Sequence, residues 1–75
     1  MSYEIIDNLR DQASDFASER YDLETEGDCF LECEAEHFTL LLLELKETEP
    51  EIFTDIIDNY YDDCPIDEDM LEEAA

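Results

Sequence analysis

Positive charge is almost missing from this chain: Arg10, Arg20 and Lys46 stand against 25 Asp and Glu in 75 residues, for a formal net charge of -22. A chain so charged repels phosphate, which excludes direct nucleic-acid binding, and it has no basic patch with which to hold an anionic membrane surface. One Gly and two Pro leave few places to turn, so a few briefly joined helices are expected rather than many short strands. The longest apolar run, Leu40 to Leu43, is far too short to span a bilayer, and no basic start precedes an apolar stretch, so no export signal is visible and a cytoplasmic location is expected. The three cysteines, Cys29, Cys33 and Cys64, are an odd number, which points to reduced thiols rather than a disulfide frame. No Gly-rich phosphate cradle is present, and the single His37 lacks an identifiable Ser or Cys partner with an orienting acid. The expectation is a protein that is not an enzyme and needs no cofactor.

What is present argues against disorder. Acidic chains commonly fail to fold because they cannot bury enough apolar surface to offset ordering entropy, but this one is 44% hydrophobic, with four Tyr, four Phe and regularly spaced Ile and Leu. Residues 1–75 therefore read as a single acidic domain with one modest core; chains this short bury only about 60% of the surface they expose when unfolded. The charge repels itself and costs stability in dilute salt. Selection for stability alone would not choose it, so something outside the fold needs it.

From Ser2 to about Tyr21, Ile5, Ile6, Leu9, Ala13, Phe16 and Ala17 recur at helical spacing, with Ser2 available as N-cap. Glu4, Asp7, Asp11, Asp15, Glu19 and Asp22 form a narrow stripe on the opposite side. Asp22 to Asp28 holds the only Gly and reads as a loop. From Cys29 to Leu45, Leu31, Ala35, Phe38, Leu41, Leu42 and Leu45 fit a helix, while Leu31, Cys33 and Ala35 alternating with Glu32, Glu34 and Glu36 fit a strand; length and the Ala, Leu and Glu content favour helix. Pro50 suits the first position of a third helix, with Glu49 and Glu51 at its positive end. Ile52, Phe53, Ile56, Ile57 and Tyr60 make its apolar face, and Glu51, Asp55, Asp58 and Asp62 its acidic one. Asp62-Asp63-Cys64-Pro65 then breaks the chain, and Asp67 is placed to cap a short closing helix through Met70 and Leu71 before a frayed Glu72 to Ala75 tail.

The expected fold is thus all-α, a small bundle of three main helices plus a short C-terminal helix; the alternative is α+β with a hairpin at about 21–45. Leu40 and Leu43 fall on the otherwise polar side of the second helix. Either that helix is central and covered on both sides, or these leucines mark a homodimer or partner contact.

Carboxylates at i, i+3 or i+4 recur about every 5 Å along a helix, a pitch commensurate with the several ångströms between phosphates on a DNA strand. Two such helices side by side would offer two ranks of negative charge. A basic groove gains from counterion release on binding DNA, and a rigid carboxylate array draws on the same source. Adaptation to high salt and plain solvated acidity are the competing explanations, but a merely soluble face intersperses Lys with Glu, and here Lys is nearly absent. The expected partner is a basic nucleic-acid-binding protein or complex, contacted through Glu4, Asp7, Asp11, Asp15 and Glu19 and through Glu51, Asp55, Asp58 and Asp62. The competing class is an acidic adaptor or dimerising regulator that uses Leu40 and Leu43.

In size, composition and charge layout the chain resembles the DNA-mimic proteins that phages and other mobile elements direct against host defence, namely anti-restriction and acidic anti-CRISPR proteins. The likeness covers the whole chain and carries no diagnostic motif. It implies an inhibitor, acting in the host-cell cytoplasm, that blocks target-DNA binding by a restriction enzyme or a CRISPR effector complex, without choosing between them.

Cys29, Cys33 and His37 are each four apart, so a helix through them aligns two thiols and an imidazole; zinc takes such ligands, but three from one straight helix strain a tetrahedron, and half-buried structural Cys with a surface His is the favoured reading. The Asp58 to Asp69 stretch is rich in oxygen ligands but lacks the Gly a calcium loop needs and contains Pro65. Tyr3, Tyr21, Tyr60 and Tyr61 can serve an interface or the core edge; Tyr61, off the apolar seam beside the third helix's acidic row, is balanced between the two. Arg20, on the first helix's apolar side, is expected to bridge internal acids.

Overall fold

Helix formation follows the apolar period almost throughout. The computed structural model describes residues 2–74, with the side chains of 3–72, and runs α1 (Ser2–Arg20), α2 (Gly27–Thr48), α3 (Pro50–Tyr60), a one-turn 3₁₀ segment (Tyr61–Asp63) and α4 (Glu68–Ala74). This is the expected all-α bundle of three main helices and a short closing one. The hairpin alternative is excluded, since residues 27–45 of the region it required lie within one continuous helix and the described residues before them form a turn, not a strand.

α1 has Glu4 in its first turn and Arg20 in its last, both complementing the helix dipole. Ser2 is itself the first helical residue, and its side chain, expected to cap, lies outside the described residues. The connection to α2 is shorter than expected. Gly27 opens that helix, and no glycine has a positive φ, so the loop needs no glycine geometry. The turn is organised instead by Asp22, whose carboxylate accepts the Glu24 N–H at 2.9 Å, an Asx turn. Asp22 therefore belongs to the loop and not to the α1 stripe.

α2 and α3 are joined by Glu49 alone. Pro50 has no N–H to continue α2 and disfavours helical geometry in the residue before it, and Glu49 duly adopts φ -140°, ψ 76°. Its N–H closes α2 on the Leu45 carbonyl at 2.6 Å, and its own carbonyl accepts the Phe53 N–H at 3.2 Å to open α3. At the far end the carboxylate of Asp67 accepts the Asp69 N–H at 3.1 Å, the expected cap. α4 runs to Ala74, and Ala75, the end of the tail expected to fray, lies outside the described residues.

The core forms where Ile6, Leu9 and Ala13 of α1 meet Phe38 and Leu42 of α2 and Ile56 of α3. Ile5, Leu41, Leu45, Ile52, Phe53, Ile57, Tyr60, Cys64 and Ile66 pack around it, half-buried. Ala13 and Ala17 are fully buried, which lets the α1 backbone approach its neighbour closely. The Cα radius of gyration, 12.2 Å, lies near the value of about 11 Å for a folded chain of this length and far from about 27 Å for an unfolded one. α2 touches α1, α3 and α4 and is the central helix. Its burial is incomplete: Leu43 is half-buried, but Leu40 stays 49% exposed.

Candidate functional site

The acidic rows sit where the burial of the opposite faces puts them. With Ile6, Leu9, Ala13 and Ala17 turned inward, α1 must turn Glu4, Asp7, Asp11, Asp15 and Glu19 to solvent, and all five are exposed. The row rises by about 22 Å over these fifteen steps, one carboxylate per roughly 5.6 Å. A DNA strand carries one phosphate per about 3.4 Å of axis, so a single row falls short of one strand and other carboxylates must add to it.

α3 supplies a shorter row. Ile56 is fully buried, and Glu51 and Asp58 are exposed on the other side with the half-buried Asp55 between them. Asp55 is held in place: Asn59 Nδ2 donates to its Oδ1 at 2.8 Å and to its carbonyl at 3.2 Å. Asp62, expected as the last member, lies in the 3₁₀ segment beyond the helix, so the helical row ends at Asp58. The acidity also reaches beyond the two rows. Every described Asp and Glu is exposed except Glu34, Asp55 and Asp67, which are half-buried, and the loop before α2 adds Asp22, Glu24 and Glu26.

Tyr61 is half-buried at the edge of the fold, and interaction of its hydroxyl with Glu68, then desolvation and the neighbouring charges of Glu68, Glu72 and Asp62, raise its pKa above the ordinary value. Tyr3 is 55% exposed and meets Tyr60 edge to face, with ring centroids 6.1 Å apart.

No family model, curated protein or solved structure matches the chain. Among the described residues no helix is long and apolar enough to cross a membrane. Nor does any group of three or more His, Cys, Asp or Glu among them converge as metal ligands do, so the Cys29, Cys33 and His37 alternative is not assembled.

The His37 ring stacks on Phe16 of α1 with centroids 4.1 Å apart and planes 5° from parallel. The guanidinium carbon of Arg20 lies 3.9 Å from the same Phe16 centroid. Two groups that close to one centroid cannot share a face, so Phe16 is sandwiched between an imidazole and a cation. Arg20 thus finds an aromatic face, where the sequence suggested internal acids. The one-turn spacing of Phe16 and Arg20 is the signal that could have suggested their contact; His37, from another helix, gives none. Thr39 went unnoticed as well. Its only signal is a lone hydroxyl in the run Phe38-Thr39-Leu40, and it is fully buried.

Proposed function

We propose that the protein is a polyanion mimic that occupies the basic nucleic-acid-binding groove of a host-defence protein, a CRISPR effector complex or a restriction enzyme, and blocks target-DNA binding. The observation that carries this reading is the α1 row: five solvent-exposed carboxylates on one face of a helix whose opposite face is locked into the core. A net charge of -22 with three basic residues supplies the field, and the shorter α3 row and the loop acids supplement the charge density that one row lacks. The likeness in size and charge layout to phage anti-defence proteins points to the class of target.

The test is competition on purified CRISPR effector complexes and restriction enzymes. Target DNA and the protein should exclude one another, and affinity should fall by orders of magnitude between about 50 and 200 mM salt. Reversal of Asp7, Asp11 and Asp15 to Lys together should weaken binding far more than any single change. Simultaneous binding of DNA and protein to the same complex would rule the reading out.

The exposure of Leu40 favours one other reading, an adaptor or dimerising regulator in which Leu40 and Leu43 form the contact and acidity serves solubility. Leu40→Asp should then abolish association while salt has little effect, as read by sedimentation. The half-burial of Leu43 narrows the apolar surface available to that contact.

A further inference from the structure

At the corner where α1 ends and α2 begins, the surface holds two adjoining depressions, the second shallower and more open than the first. The first, about 340 Å³, lies between Phe16 on α1 and Cys33, His37 and Leu40 on α2, with Glu32 and Glu36 also in its lining. The second is lined by Leu23 and Phe30 together with Glu19, Asp22 and Glu26. Arg20 and Tyr21 line both lobes and form their common wall.

Each lobe contains one of the exposed aliphatic side chains of the molecule. Leu40 is 49% exposed in the first and Leu23 57% exposed in the second. Apolar surface bordered by carboxylates matches a complementary surface in which apolar side chains are bordered by cations. The charge of the chain decides against other occupants: nucleic acid, acidic peptides, anionic lipid and a second copy at -22 are all repelled. Arg20 does not reverse that preference, being one guanidinium held over the Phe16 ring between five carboxylates.

We infer that this two-lobed concavity anchors a basic protein segment, taking one aliphatic side chain of the partner in each lobe while adjacent Lys or Arg residues meet Glu32 and Glu36 on one side and Glu19, Asp22 and Glu26 on the other. The inference rests on the polyanion-mimic reading for the class of partner and adds an apolar component of recognition. Glu19 belongs both to the α1 row and to the second lobe, so one partner surface can run from the row into the anchor. Carboxylate rows bind many basic grooves; the anchor selects those with apolar residues at the right place and retains binding as salt screens the rest.

The test compares a peptide alternating Arg and Leu with an all-Arg peptide of equal charge, by titration followed in amide NMR spectra. The Arg–Leu peptide should bind at least about fivefold more tightly, the gain expected from partial burial of two aliphatic side chains, with shift changes concentrated at Phe16, Leu23, Phe30 and Leu40. The L23S/L40S double variant, altered only at exposed positions, should keep its far-UV circular dichroism, bind the all-Arg peptide unchanged and lose the preference. Equal affinity of the native protein for both peptides, or a preference that survives L23S/L40S, overturns the inference. The mimic reading is judged separately by DNA competition on the effector: failure there with the peptide preference intact leaves the anchor standing, and the reverse leaves the mimic standing.

Discussion

The Thr39 hydroxyl accepts the backbone N–H of Asp67 at 2.7 Å while donating to the Ala35 carbonyl at 2.8 Å. One side chain thus satisfies both of its roles and ties the segment leading into α4 to the middle of α2. Asp67, held there, caps α4 with its own carboxylate. Thr39→Val keeps the shape but leaves the Asp67 amide without its partner, at a cost of about 1–3 kcal/mol. Each kcal/mol lowers Tm by roughly 4–8 °C in a domain of this size. Thr39→Ser, which keeps the hydroxyl, should retain most of the stability in the same thermal melts.

Phe38 is the largest side chain with no exposed surface, and it sits among α1, α2 and α3 residues. Phe38→Ala should cost about 3–5 kcal/mol, a large fraction of what a small domain has. A sharply lower urea midpoint, or loss of the cooperative transition, is the expected result.

The three thiols should differ in reactivity toward a neutral alkylating or disulfide reagent. Cys29 is exposed, Cys33 is half-buried, and Cys64 is packed against the core. Burial, with the Asp63 charge adding and Arg10 opposing, pushes the Cys64 thiol above the ordinary 9.0. The expected order is Cys29 fastest and Cys64 slowest, read by mass spectrometry of partly labelled protein.

Alkaline pH should weaken the fold through the same group and through Tyr61. Both hold their protons more tightly folded than unfolded, so this contribution is complete below the ordinary values of 9.0 and 10.0 and is lost as pH rises through the raised folded ones. Denaturant midpoints should fall above about pH 9, and the double substitution Cys64→Ala with Tyr61→Phe should flatten that fall.

Salt should stabilise the protein even as it weakens partner binding. The charge of -22 is spread over all four helices and the loop before α2, and the Debye length shrinks from about 30 Å at 0.01 M to about 10 Å at 0.1 M. A melting temperature that rises over this range, with a protein in which several row residues are changed to Asn or Gln rising less, is the outcome expected.

The outward rows were legible because each is the geometric complement of an apolar seam. Once Ile6, Leu9 and Ala13 are assigned inward at 3.6 residues per turn, Asp7, Asp11 and Asp15 have only one direction left. Pro50 and Asp67 were legible for local reasons too, a missing N–H in one case and a short acceptor before a helix in the other. Gly27 misled because its freedom is permissive: glycine allows a loop but does not require one, and here the Asx turn at Asp22 did the turning. Asp62, expected at the end of the α3 row and at the start of the chain break, falls just beyond the helix because the hydrogen-bond ladder tightens to 3₁₀ after Tyr60.

By itself, then, the order of residues determined the helical elements, the inward seams and the envelope of negative charge, since each depends on near neighbours along the chain and on a period that backbone geometry imposes. Only the tertiary structure decided what meets across that chain distance: that His37 lies on Phe16, that Thr39 holds Asp67, and that Leu40 is left open while Leu43 is half-covered. Those partners come from other helices, and which of them arrives is set by how the cores of α1, α2 and α3 fill one volume, a constraint with no period to read.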